Sequence, residues 1–381
     1  MIRLVFWASV GTIVYTYVGF PLIILARAWV RPRPVRSQPI FPSVSIVIAA
    51  YNEAEGLGAK LRSIAALDYP RGRLEVVVAS DGSSDGTADI AEQFAALAVR
   101  VLRLPRAGKH LALDAGVAAS TGDVIVFTDA NSELAPDSVR LLVEPFADGH
   151  VGGVAGDQRY RPGPGGRGER QYWNLDRALK RAESRAGNVV SATGALYAIR
   201  RALFLPVPPG VTDDFVTSTG VVVQGHRLVF QESAAAYEPV AATNKLEFER
   251  KVRVMTRGLR AVSLRRGLLN PAATGFYAVQ LFSHKVLRRL VWVPLAAMAV
   301  AAPLLWSDGR FYQGVALAEA LFYGLGALGL AVDRRGARSR VLAVPAFFCL
   351  VNAAAVRAWW NVLSGTRIER WEPSRADALG S

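Results

Sequence analysis

Carboxylates and amides gather in this sequence where short apolar runs end. Asp81 opens the stretch Asp81-Gly82-Ser83-Ser84-Asp85-Gly86-Thr87, directly after the run Leu74 to Ala79. An ionised carboxylate only accepts hydrogen bonds, so at a strand end it can take an imide N–H or ribose hydroxyls. The same stretch also reads as a turn with Ser84 or Asp85 capping the next helix, and Asp85 and Thr87 are given that structural role. Asp129 and Asn131 follow the run Val124 to Thr128. Oxygens at i and i+2 can meet a divalent cation, Mg²⁺ or Mn²⁺, that bridges two phosphates, although Asp-x-Asn is also common in plain loops. Lys109 can add a point charge on a diphosphate. Asp213 and Asp214 follow Pro208-Pro209-Gly210 and open a predicted helix. Paired acids there either complement the helix dipole or push one pKa up toward that of a working base. None of His110, His150, His226 and His284 has metal-ligand spacing, and no GxxxxGK[ST] phosphate loop occurs.

The elements that must hold these residues alternate. Strands are expected at Val44 to Ala49, Leu74 to Ala79, Val99 to Leu104 and Val124 to Thr128. Helices are expected at Glu55 to Ala66, about Asp85 to Ala96, and Leu111 to Ala119. Near-continuous apolar strands separated by helices imply an α/β fold with a mostly parallel, Rossmann-like sheet covered on both faces. Ligands of such sheets lie at the carboxyl ends of the strands. Tyr51-Asn52-Glu53, the Asp81 stretch and Asp129-Ala130-Asn131 all sit at those ends, which argues for one shared site.

The chain has 381 residues, is 51% hydrophobic and carries a formal charge of +14. Its apolar residues concentrate at the two ends. Leu4 to Ala26 is long enough to span a hydrocarbon core of about 20 residues, and its arginines follow it, unlike those of a cleaved signal peptide. Three more apolar runs cover 290–306, 311–332 and 341–363. The expected organisation is an N-terminal transmembrane helix at 1–30, a Pro/Arg-rich linker at 31–42, a catalytic domain at 43–243, an amphipathic interfacial region at 244–285, three transmembrane segments at 286–363 and a tail at 364–381. In the interfacial region Leu246, Val252, Met255, Leu259 and Val262 can share one face. Arginines flank the spans at Arg31, Arg33 and Arg36, at Arg288 and Arg289, and at Arg334, Arg335, Arg338 and Arg340. That placement fits the positive-inside rule and contact with anionic membrane lipids. It predicts a multi-pass protein of the inner (plasma) membrane with a cytoplasmic catalytic domain and an external tail. No basic motif interleaved with aromatics points to nucleic acid. Cys349, the single cysteine, lies in an apolar run and reads as a buried hydrophobe.

Taken in order, these segments resemble the family 2 glycosyltransferases of GT-A fold, the group that includes cellulose, chitin and hyaluronan synthases. The resemblance rests on Ser45-Ile46-Val47-Ile48-Ala49-Ala50-Tyr51-Asn52-Glu53, the Asp81–Thr87 turn, Gly108-Lys109, Ala112-Leu113-Asp114-Ala115-Gly116, Thr121-Gly122-Asp123, and Asp129-Ala130-Asn131. Thr193-Gly194-Ala195, Thr212-Asp213-Asp214 and Gly225-His226-Arg227 complete it. It implies that Tyr51 and Glu53 line a nucleoside pocket with Asp81 on the base, and that Lys109 faces the diphosphate. It further implies that Asp129 binds the cation with Asn131 beside it, that Gly194 lies near the donor sugar and acceptor, and that Asp214 is the general base with Asp213 next to it. Two departures stand out. The Asp-x-Asp metal motif ends here in Asn131. The Gln-x-x-Arg-Trp segment of polymerising members corresponds to Arg250-Lys251-Val252-Arg253-Val254, which keeps Arg253 but lacks the Trp that would stack an acceptor sugar. Ser283-His284-Lys285 with Leu287-Arg288 resembles a segment of bacterial exopolysaccharide members, with no role attached. The expected activity is inverting transfer of a sugar from a nucleotide sugar, UDP-linked, to a carbohydrate or lipid-linked acceptor, in polysaccharide or glycolipid synthesis. The alternatives are a polyprenyl-phosphate glycosyltransferase, a processive synthase and a non-catalytic membrane scaffold.

Overall fold

The computed structural model describes the chain except residues 95, 96, 98, 161–166, 239–243, 334–340, 367 and 369–381, with 167–174, 244 and 333 described by backbone alone. The expected arginine loop at Arg334 to Arg340 and most of the tail lie outside the described residues. The chain forms two compact units: one built mainly from 28–162 and 180–240, the other from 1–27, 163–179 and 241–367.

The first unit is built on one eight-stranded sheet. Its strands are β1 (Val44–Ala50), β2 (Leu74–Asp81), β3 (Val99–Leu104), β4 (Val124–Phe127), β5 (Glu133–Leu134), β6 (Val151–Tyr160), β7 (Tyr197–Arg200) and β8 (Arg227–Glu238), in the spatial order β3-β2-β1-β4-β7-β6-β8-β5. The first four are parallel, with Val44 opposite both Leu74 and Val124. That register brings the ends of β1, β2 and β4 out on one edge of the sheet, each carrying one of the polar clusters. Beyond β4 the sheet is mixed: β7 runs antiparallel to β4 and β6, while β6 and β8 are parallel. Because Phe127 lies opposite Tyr197, the start of β7 meets the end of β4. Gly194 and Ala195 thereby reach Asp129.

Both sheet faces are buried. On one, Ile46 and Ile48 pack with Leu57, Leu61 and Ile64 of the helix Ala54–Ala65. On the other, Val47 and Ala49 pack with Leu113 and Val117 of the helix Lys109–Ala119. Gly116 lets that second helix come close, since a Cβ there would lie 2.5 Å from Val47 Cγ1. The helix expected from about Asp85 to Ala96 begins only at Thr87, because Gly86 adopts a left-handed conformation with φ 81° just before it; it runs to Glu92, and residues 95 and 96 of the expected stretch lie outside the described residues.

Among the described residues three helices, lying mainly in the second unit, are long and apolar enough to cross a membrane: Ile2–Val30, Arg310–Val332 and Ala343–Leu363. The first contains a π-helical turn at Tyr15–Gly19. The apolar run at 290–306 is not a straight span. Its helix, Trp292–Leu304, has 13 residues, about 20 Å at 1.5 Å per residue and short of a core about 30 Å thick. It continues, across a 48° bend, the helix Phe276–Leu290, whose residues up to 285 belong to the stretch expected at the interface. The amphipathic helix itself spans Asn244–Leu264. It packs along Ala343–Leu363, where Asn361 Nδ2 donates to Thr256 Oγ1 at 3.3 Å and Arg260 donates to the carbonyls of Gly365 and Thr366.

Candidate active site

At the end of β2, the Asp81 side chain is 1% exposed. Its carboxylate accepts from Arg106 Nη1, from the Ala107 backbone N–H at 2.7 Å and from that of Gly108 at 3.0 Å. The Arg106 guanidinium carbon then stands 3.4 Å from the centroid of the Tyr51 ring, a cation–π contact. Asp81 therefore anchors the loop 106–108 and, through Arg106, closes over Tyr51; it does not stand as a free acceptor. Asn52 takes a left-handed φ of 50° and accepts from the Ser84 N–H at 2.8 Å. Ser83, Thr87 and Asp85 accept from the backbone N–H groups of Asn52, Glu53 and Ala54. The Asp81–Thr87 turn thus knits the ends of β1 and β2 together, and Asp85 and Thr87 have the structural role read from the sequence. Hydrogen bonds from Thr87 and Ala54 hold the Asp85 carboxyl below its ordinary pKa despite burial. Glu53 starts the helix Ala54–Ala65, with its carbonyl accepting from Gly56 and Leu57. The turn also has G-x-S-x-G spacing, but the Ser84 hydroxyl faces Asn52 Oδ1 at 3.5 Å and, among the described residues, no imidazole is bonded to it, so it does not have the partner of an activated nucleophile.

Lys109, the first residue of its helix, reaches across to the end of β4. Its Nζ lies 2.7 Å from Asp129 Oδ1 and 3.0 Å from Asp213 Oδ2. Burial works against the ammonium, but the Asp129 and Asp213 carboxylates outweigh it and raise its pKa above the ordinary lysine value. Asp213 is thus the partner of Lys109, and the two adjacent acids do not act as an isolated repelling pair. Asp214, half-buried in the first turn of the helix Asp213–Val223, accepts from the Phe215 N–H at 2.7 Å. On the far side of Asp129 lies Gly194: its carbonyl accepts from the Asp129 N–H at 3.1 Å, and a Cβ at 194 would stand 2.6 Å from Asp129 Oδ2. Asn131 is exposed two residues on.

Among the described residues no group of three His, Cys, Asp or Glu side chains is placed to hold a metal. Asp129, with Asn131 two residues on, nonetheless offers the kind of oxygen donors that a Mg²⁺ or Mn²⁺ ion would take. Such ions are held by one or two carboxylates, water and substrate phosphates, not by all-protein cages. A positive group already rests on Asp129, whose second oxygen faces the gap kept open by Gly194.

The structure thus brings Tyr51, Glu53, Asp81, Lys109, Asp129, Asn131, Gly194, Asp213 and Asp214 to one edge of the sheet. Arg250 and Arg253 belong to the other unit, where Glu247 binds Arg250 at 2.9 and 3.0 Å. Two participants were not visible from motifs. Arg106 carries no signal, because its place follows from the loop that Asp81 holds. Lys60 did carry one: a lysine at helical spacing among Leu57, Leu61 and Ile64 on an otherwise apolar stripe.

Residues 45–205 match the sequence profile described as Glycosyl transferase family 2. The chain is 37% identical over 125 residues to the probable glycosyltransferase YdaM of Bacillus subtilis (strain 168), a stretch that covers 31% of this chain and 30% of that protein. It is 24% identical over 264 residues to the poly-beta-1,6-N-acetyl-D-glucosamine synthase of Staphylococcus aureus (strain COL), covering 66% of this chain and 62% of the synthase. The alignments therefore span less than two thirds of either relative. Among solved structures, the mannosyltransferase PcManGT from Pyrobaculum calidifontis, in complex with GDP-Man and Mn²⁺, superposes with a TM-score of 0.71 at 24% identity, over 96% of this chain and 100% of that one.

Proposed function

We propose that this chain, whose residues 45–205 match the family 2 glycosyltransferases, transfers a sugar with inversion from a UDP-linked donor to a carbohydrate or lipid-linked acceptor at the cytoplasmic face of the membrane. The observation that carries this reading is the cluster Lys109–Asp129–Asp213 with Asp214 beside it. It joins the strand ends that hold a nucleotide to the helix that carries a base.

In this reading Tyr51 and Glu53 line the nucleoside pocket, with Asp81 acting on the base side through the loop and the Arg106 it fixes. Lys109 supplies a fixed positive charge where the diphosphate gathers negative charge. A Mg²⁺ or Mn²⁺ ion held by Asp129 and Asn131 would offset further charge on the departing diphosphate. The acceptor hydroxyl attacks the anomeric carbon as the bond to the phosphate oxygen breaks, and Asp214 takes the hydroxyl proton. One base opposite the leaving group suffices, which is the inverting course. Gly194, with no side chain, leaves room beside Asp129 for the donor sugar. Arg250 and Arg253 serve the acceptor side. The missing Trp of the polymerising segment favours single or limited addition.

The test is a screen of UDP- and GDP-linked sugars with purified protein, reading nucleoside diphosphate release for wild type and Asp214→Asn. Loss of a general base costs about 10²–10⁴-fold, and that loss is expected with donor affinity retained. A variant that turns over normally, or that loses only donor affinity, rules out Asp214 as the base.

A further inference from the structure

Lys60 takes no part in the reaction above, yet it is completely buried. It lies on the inner face of the helix Ala54–Ala65 among Leu57, Leu61 and Ile64, and its relative exposure is 0%. Its ammonium donates to Thr128 Oγ1 at 2.5 Å, and Thr128 Oγ1 donates to the Ala195 carbonyl at 2.6 Å. One residue along each strand, the Asp129 N–H donates to the Gly194 carbonyl at 3.1 Å. The end of β4 and the approach to β7 are therefore clasped twice, immediately beside the Asp129 carboxylate.

The direction of the relay is fixed by chemistry. The Ala195 carbonyl only accepts, so it takes the single Thr128 proton, and Lys60, as ammonium or as amine, must donate to Thr128 Oγ1. The ammonium is held in an apolar layer, where burial pushes its pKa down to about 7 against the pull of Asp129, Glu238 and Glu133. A buried ionic group is often replaced by an apolar one of similar volume without loss of stability, so packing alone gives no reason for a lysine here.

We propose that Lys60 is a positioning residue of the cation-binding turn: acting through Thr128, its buried ammonium holds the Asp129 carboxylate and the Gly194–Ala195 segment in fixed register. This rests on the reading of Asp129 as the cation ligand.

The experiment titrates Mn²⁺ into the purified full chain, with and without UDP, following the electron paramagnetic resonance signal of free Mn²⁺, with melting temperature recorded for each variant. Outer partners of metal ligands typically change metal affinity about 10–100-fold. Lys60→Met is expected to weaken Mn²⁺ binding by that factor while the melting temperature stays level or rises. Thr128→Val is expected to match it, Thr128→Ser to bind like wild type, and the double variant Lys60→Met/Thr128→Val to be no weaker than Thr128→Val alone. Lys60→Met binding within twofold of wild type while Asp129→Asn abolishes binding overturns the proposal and spares the site. Losses that multiply in the double variant also overturn it, since Lys60 then does not act through Thr128. If Asp129→Asn binds Mn²⁺ as wild type does, the reading of the ligand fails and the inference falls with it. Should Lys60→Met not fold, the Thr128 pair decides: equal binding by Thr128→Val and Thr128→Ser overturns the relay.

Discussion

A methyl group at position 194 would stand 2.6 Å from Asp129 Oδ2, well inside contact distance. The carboxylate has little freedom to yield, because its other oxygen is bound to Lys109 at 2.7 Å. Gly194→Ala must therefore tilt Asp129 away from its place or strain the ion pair. A misplacement of about 1 Å at a reacting centre can cost about 10²-fold in rate. The variant is expected to keep its melting temperature and to lose nucleoside diphosphate release by roughly that factor. Release within a few-fold of wild type would mean that Asp129 is not held where the cation needs it. Much of this site was legible from residue types alone. Asp81, Lys109, Asp129, Asp213 and Asp214 follow strand ends or open helices, and the structure brings them together. Their partners were less legible. Asp213 pairs with Lys109, 104 positions away in sequence, and Asp81 pairs with Arg106. Both pairings depend on where loops turn, which residue spacing does not encode.

Elements explain why these residues converge. Parallel pairing from Val44, Leu74 and Val124 aligns the ends of β1, β2 and β4. The antiparallel entry of β7 then delivers Gly194 to Asp129. Near-continuous apolar runs revealed the first half of the sheet because β1, β2 and β4 are buried on both faces. It did not reveal the mixed half, where β6 and β8 pair with bulges near Val151 and Ala155 and pattern cannot show which neighbour a strand takes. Lys109 is placed by its helix, and that helix by Gly116. Replacing Gly with Ala in a helix ordinarily gains about 0.8–1 kcal/mol. Here the new Cβ would meet Val47 Cγ1 at 2.5 Å, and overpacking a tight core costs about 1–3 kcal/mol. The second effect wins. Gly116→Ala should lower the melting temperature and reduce turnover, because the displaced helix carries Lys109 with it. A variant more stable than wild type would show that the close approach does not exist.

At the scale of the whole molecule, charge and hydropathy together make a claim about topology. Ile2–Val30, Arg310–Val332 and Ala343–Leu363 each meet the length and apolarity of a span, and the bent pair Phe276–Leu290 and Trp292–Leu304 is either a fourth span or a re-entrant loop. The two cases place the segment between the last two spans on opposite sides. If the catalytic domain is cytoplasmic, as proposed, a crossing pair puts residues 334–340 inside and the tail outside; a re-entrant pair reverses both. Arg334, Arg335, Arg338 and Arg340 crowd one short segment, whereas Arg367, Arg370 and Arg375 are spread along the tail. Short loops dense in arginine set orientation most strongly, so the crossing pair is favoured, with the bend taken up inside the membrane. A cysteine probe distinguishes the cases, since Cys349 is the only native thiol and lies in the apolar helix Ala343–Leu363. Ala337→Cys in a Cys349→Ala background should resist a membrane-impermeant maleimide added to intact cells and react once the inner face is exposed. Labelling in intact cells would make the bent pair re-entrant, and the tail arginines, not those at 334–340, would be the cytoplasmic ones.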